Sequence, residues 1–175
     1  MTQSLTSSST FTISDARYVA AKMGADLRGL YARYNKPAAA KIEDYIEETA
    51  QCLKHGYLKT VDFGFKRGDE WILRLRYAAT AGGQLTDGPS GQLPAASQLS
   101  DCHFYSYLSW SDSFYNLSPT EQQAFRATLP INRTSADAPS LGAGHHGNAA
   151  EYSRHGAGLS RDVYSAYRSD PGRIS

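Results

Sequence analysis

Two places in this sequence set side by side the groups that make or break bonds, or hold metals: His145-His146 and Asp101-Cys102-His103. A zinc or other transition-metal site needs three or four converging ligands. Adjacent histidines in a glycine-rich stretch point in different directions, and no nearby cysteine or paired carboxylate completes a set, so no metal and no cofactor is expected. The thiol beside an imidazole at 102–103 has the composition of a nucleophile and its base. On a strand, however, neighbouring side chains face opposite sides, so Cys102 reads as a core residue and His103 as a surface one. The chain has no G-x-S-x-G elbow, no phosphate loop and no dinucleotide fingerprint. Gly82-Gly83 and Gly142-x-Gly144 lack the strand-to-helix context that gives such glycines meaning. Arg74 and Arg76 project together and read as either a site for an acidic partner or a solvated pair. The aromatic run at 102–110 would suit base stacking only beside a basic groove, and it contains no Lys or Arg. A core face, or an edge that accepts a peptide, fits it better, and no catalytic residue is assigned.

The elements that position these groups follow from hydrophobic period. Phe11 and Ile13 alternate with Thr12 as a short strand would, and Ser14 is placed to cap the helix that follows. Val19, Met23, Leu27, Leu30, Tyr31 and Tyr34 then recur at three- and four-residue spacing, which predicts a helix of about twenty residues. Asn35-Lys36-Pro37 breaks it. A second helix starts near Pro37, with Ile42, Tyr45, Ile46, Thr49 and Leu53 inward and Glu43, Asp44, Glu47 and Glu48 as a solvated acidic face. Gly56 ends it.

The period next changes to two. Val61, Phe63 and Phe65 form one row, and Trp71, Leu73, Leu75 and Tyr77 another, across turn chemistry at Lys66-Arg67-Gly68-Asp69; this predicts a β-hairpin. Residues 80–101, with four glycines and two prolines, read as a long surface loop of the kind that is often mobile or functional. Cys102, Phe104, Ser106, Leu108 and Trp110 alternate with His103, Tyr105 and Tyr107 in a further strand. Ser118-Pro119-Thr120-Glu121 is a capping box that opens a short helix holding Phe125. From Arg133 the sequence turns to glycine, alanine and serine with almost no large apolar residue until Tyr152, after which Leu159, Val163, Tyr164 and Tyr167 follow. That pattern suits a tether with a docking end.

Composition bounds the function. With 175 residues the chain is long enough for one domain with a proper core. Its 18 basic and 17 acidic residues give a net charge of +1, so nothing in bulk electrostatics draws it to nucleic acid. No apolar run approaches the roughly 20 residues that span a bilayer, and the polar start, Met1 to Thr10, lacks the basic flank of a secretory signal. Two distant cysteines, Cys52 and Cys102, suit a reducing compartment. A cytoplasmic protein without membrane contact is the expectation.

The order helix, helix, hairpin, long loop, strand, short helix and long tail resembles the HORMA fold, and the local sequence resembles the bacterial HORMA-domain proteins of CBASS anti-phage operons. The residues that carry this are Ile13-Ser14-Asp15-Ala16-Arg17-Tyr18-Val19, Ile42-Glu43-Asp44-Tyr45-Ile46-Glu47-Glu48, and Leu53-Lys54-His55-Gly56-Tyr57-Leu58 running into Val61-Asp62-Phe63-Gly64-Phe65. Tyr152-Ser153-Arg154 and Gly158-Leu159-Ser160-Arg161 add to them. The resemblance implies an α+β domain with helices on one face of a mainly antiparallel sheet, and a mobile C-terminal safety belt that closes around a short peptide. It implies a leader at 1–10, a core at 11–132 and a belt region at 133–175. It also implies a signalling switch, not an enzyme: the closed form binds and activates a CD-NTase that makes cyclic oligonucleotides, and an AAA+ remodelling ATPase reopens it. The peptide would meet Tyr105, Tyr107 and Trp110 on the aromatic strand and Tyr152, Leu159 and Val163 on the belt. Ser7, Ser8, Ser9 and Thr10 would be the remodeller's handle. Asp170 to Ser175 are either the end of the belt or a ligand for a second HORMA protein. An enzyme of unfamiliar type using His103 or His145-His146, and an assembly protein whose tail orders on association, are the competing readings.

Overall fold

In the computed structural model, residues 10–34, 40–89, 92–131, 133 and 165–168 are described. Helix α1 (Ile13–Arg33) starts two residues earlier than a cap at Ser14 predicts. Thr12, not Ser14, is the cap: its hydroxyl accepts from Asp15 N–H at 3.1 Å while the Asp15 carboxylate accepts from Thr12 N–H at 2.9 Å. The reciprocal bonds satisfy two end donors at once, and Ile13 is therefore helical and no part of a strand. The predicted stripe holds, with Val19, Met23, Leu27, Leu30, Tyr31 and Tyr34 all buried. Helix α2 (Ala40–His55) packs along α1. Arg17 clasps Glu47 with two 2.9 Å hydrogen bonds, and Arg28 pairs with Glu43. Gly56, at φ +75°, turns the chain out of α2 in the left-handed region.

Strands β1 (Leu58–Arg67), β2 (Glu70–Ala78), β3 (His103–Trp110) and β4 (Ser165–Arg168) form one antiparallel sheet in the order β2-β1-β3-β4. Its inner face lies under the two helices. Val61, Phe63 and Phe65 are flanked by Tyr77, Leu75 and Leu73 on one side and by Leu108, Ser106 and Phe104 on the other. Tyr45 meets Phe63 edge-on at 4.9 Å, and Tyr31 meets Phe104 at 5.3 Å. Gly64 has a packing reason to be glycine: a β-carbon there would stand 2.0 Å from the Leu73 carbonyl oxygen.

A bulge corrects one row of the predicted hairpin. Phe65 pairs with Leu73 but Lys66 pairs with Trp71, so Ile72 is the extra residue. Ile72 packs against the core, and Trp71 crosses to the outer face, where it packs against Tyr107 at 5.5 Å.

The long loop is fastened at several points. Tyr77 packs against Gly88 and donates to Asp26 at 2.7 Å. Tyr34 donates to the Pro94 carbonyl at 2.7 Å, and Arg67 donates to the Gln98 and Ser100 carbonyls. A 3-10 turn (Ala96–Leu99) buries Leu99. The loop's described residues, 80–89 and 92–101, thus form a strap held by Tyr34, Arg67 and Tyr77. After β3 come a one-turn helix, α3 (Asp112–Tyr115), which the sequence reading did not include, and the predicted capped helix α4 (Pro119–Ala127). Ser118 and Glu121 form the capping box at 3.1 and 2.9 Å. Among the described residues no helix is long and apolar enough to cross a membrane.

Candidate strand-docking edge

The sheet has β2 at one edge, and at the other β3 receives β4 from the C-terminal region. Tyr105 pairs with Arg168, Ser106 with Tyr167, Tyr107 with Ala166 and Leu108 with Ser165. An edge strand offers a row of backbone donors and acceptors to any extended segment that reaches it. Here a segment of the chain's own C-terminal region has taken that row.

Alternation along β3 separates the three aromatic residues assigned to it. Tyr105 and Tyr107 share the outer face, whereas Trp110 belongs to the core, stacked on Phe114 at 3.9 Å beside Phe125. The outer face is densely packed. Tyr105 and Tyr107 are buried, and Lys66 sits among Trp71, Tyr105 and Tyr107 with Nζ 5.0–5.5 Å from each ring centre. Its ammonium donates to the Tyr107 hydroxyl at 2.8 Å. Burial pulls the Lys66 pKa below its ordinary value and pushes that of Tyr107 above its own. The rings' negative faces offset part of the cost of desolvating the ammonium. Alongside, Asp62 is fully buried and accepts from both Arg74 Nε at 3.1 Å and Arg76 Nε at 2.9 Å. The arginine pair thus has an acidic partner within its own sheet.

The inner face at the same level holds a polar group that the sequence reading placed in solvent. Glu48 is wholly buried, a correction to its assignment to the acidic face of α2. Its carboxylate accepts from Arg133 Nε at 2.6 Å and from Nη2 at 2.9 Å. Arg133 Nη1 donates to the Ser106 carbonyl at 2.7 Å, and Nη2 also bonds the Ser106 hydroxyl. Arg126, in the last turn of α4, donates to the Arg133 carbonyl. Position 48 lies three residues after Tyr45 and four before Cys52, both buried; that helical phase was the available signal. No local pattern announces a partner 85 residues away.

Cys102 is buried behind a left-handed turn at Asp101 (φ 66°), and burial raises its pKa, the reverse of what a nucleophilic thiol needs. Thr10 is exposed at the start of the described chain. Ser7, Ser8, Ser9, His145, His146, Tyr152, Leu159, Val163 and residues 170–175 lie outside the described residues. No group of three His, Cys, Asp or Glu side chains able to hold a metal occurs among the described residues.

Two helices over an antiparallel sheet, with a C-terminal strand laid on the β3 edge, define an α+β domain. The chain matches the bacterial HORMA domain family 1 over residues 1–165, and it belongs to that family. It is 36% identical over 156 residues to CD-NTase-associated protein 7 of Escherichia coli (strain MS 115-1), which covers 87% of this chain and 89% of that protein. Among solved structures it resembles a chain of the E. coli MS115-1 CdnC:HORMA-deltaN complex, at 35% identity and a TM-score of 0.61 over 72% of this chain and 73% of that one. A chain of the E. coli MS115-1 HORMA:CdnC:Trip13 complex gives 34% identity and the same TM-score over 73% and 75%.

Proposed function

We propose that this protein is a peptide-binding conformational switch of anti-phage defence, with no catalytic step of its own. Its C-terminal region, residues 133–175, would serve as a belt that closes around a short peptide. The closed form would bind and activate a CD-NTase, and an AAA+ ATPase would reopen it through the leader at Ser7, Ser8, Ser9 and Thr10. The observation that carries this reading is the pairing of Ser165–Arg168 with β3. An edge that accepts four residues from its own chain has the hydrogen-bonding row and the register to accept a foreign strand instead. Membership of the family supports it, as does the likeness to chains of complexes with CdnC and with Trip13. Two free, buried cysteines fit a cytoplasmic setting.

The test uses the full chain, a CD-NTase encoded beside it and the peptide segments of neighbouring proteins. Synthesis of cyclic oligonucleotide should rise only when chain and peptide are both present, and substitutions at Tyr105, Tyr107, Tyr152, Leu159 or Val163 should abolish that rise. Removing residues 1–9 should leave activation intact and block disassembly by the ATPase. A synthase that binds the chain equally well with and without peptide, and is never stimulated, would sink the proposal.

A further inference from the structure

Three observations converge on Ser106. Its carbonyl and its hydroxyl both accept from the buried Arg133 guanidinium. Arg133 is itself fixed three ways: by Glu48 of α2, by Ser106 of β3, and through its own carbonyl by Arg126 of α4. Ser106 is also the register partner of Tyr167 in β4. Arg133 and β4, which stand on either side of residues 134–164 in the sequence, therefore meet β3 at the same residue.

We infer that Arg133 is a positioning residue for the docking edge: it holds Ser106 so that a strand laid on β3 is accepted in one register, and it is the fixed root of the C-terminal region. The inference deepens the peptide-switch reading and rests on β3 being the edge that exchanges strands. A slip of one residue turns every side chain to the other face, and a strand of only four residues has few side chains of its own with which to oppose it. A planar guanidinium imposes direction where an apolar side chain would not. Burial alone does not explain a charged pair here, since well-packed apolar residues commonly replace buried ion pairs without loss of stability. Tether length does not explain it either. Adding a few residues to a connection as long as the one between Arg133 and Ser165 changes a closure entropy very little.

The test is hydrogen exchange on the full-length chain, comparing wild type with the paired apolar variant Glu48→Leu/Arg133→Met and with Ser106→Ala, which leaves the ion pair in place. In the paired variant the melting temperature should stay within about 5 °C of wild type. The β3 amides between Tyr105 and Leu108 that face β4 should exchange about tenfold faster, with those between β1 and β2 unchanged. Ser106→Ala should show a smaller acceleration at the same amides. Unchanged β3 exchange in both variants would overturn the inference, as would uniform acceleration across all strands, which marks a purely structural role. Should the paired variant not fold, Ser106→Ala and Arg133→Lys decide by the same readout. No peptide or synthase enters the measurement, so a failure of the switch reading would appear separately, as a wild-type chain with this protected edge that takes up no peptide.

Discussion

At the scale of single residues, the fold depends most on charges that have left water. Glu48 and Arg133 satisfy each other with good geometry, and removing either strands the other in the core. Arg133→Ala or Glu48→Ala should therefore cost about 3–5 kcal/mol, measured by urea unfolding, whereas the paired apolar replacement should recover most of it. Asp62 differs, because its two arginines keep over a third of their side-chain surface in solvent. They can rehydrate when the carboxylate is lost, so Asp62→Ala should destabilise less than Glu48→Ala in the same assay. These residues were the least legible part of the sequence. Glu48 read as one more member of an acidic face because a helical wheel gives phase but not partner. Arg133 read as the first residue of a tail because composition changes there, although its side chain points back into the core.

At the scale of elements, local chemistry was far easier to read. The stripe from Val19 to Tyr34, the stop at Gly56, the two-residue period of β1 and the Ser118 capping box are all encoded within a few positions of where they act. Errors arose where one residue decides: the cap fell on Thr12 in place of Ser14, and the extra residue Ile72 turned Trp71 over. Thr12→Ala should cost about 1 kcal/mol and Ser14→Ala no more than about 0.5 kcal/mol, by thermal or urea melts. Gly64→Ala should disrupt the hairpin outright, since the added methyl meets backbone and not a movable side chain; loss of the cooperative unfolding transition would register it. Acid provides an independent probe. The backbone N–H groups of Thr12 and Ser118 hold the Asp15 and Glu121 carboxyls below their ordinary values of 3.8 and 4.5. A depressed folded-state value means stability that is fully present above those ordinary values and lost as the pH falls through the folded ones. Asp15→Asn with Glu121→Gln should flatten the fall of melting temperature in that acid range, and an unchanged slope would contradict the capping account.

At the scale of the whole molecule, the order of elements was legible because each announces its own period, and that order with its local sequence was enough to suggest the family. The strap at 80–101 was not legible, because its fastenings come from distant residues: Tyr34, Arg67 and Tyr77. Gly88→Ala should test how firmly it is held, since a β-carbon there would lie 2.2 Å from the Tyr77 ring. Its expected signature is faster proteolytic cleavage within 80–101 without loss of the helical circular-dichroism signal.

Strands β2 and β3 also differ in the charge they carry. Along β2 the chain sets Glu70, Arg74 and Arg76, and charge of this kind discourages a second molecule from adding a strand. Along β3 the residues are His, Phe, Tyr, Ser, Tyr, Leu, Ser and Trp, with no Lys, Arg, Asp or Glu to turn an intruder away. There the guard is β4 itself. A chain ending at residue 164 should consequently be prone to self-association, with light-scattering mass rising with concentration while the full chain stays at one mass. On that outcome the C-terminal strand acts as a solubility device, keeping an adhesive border covered.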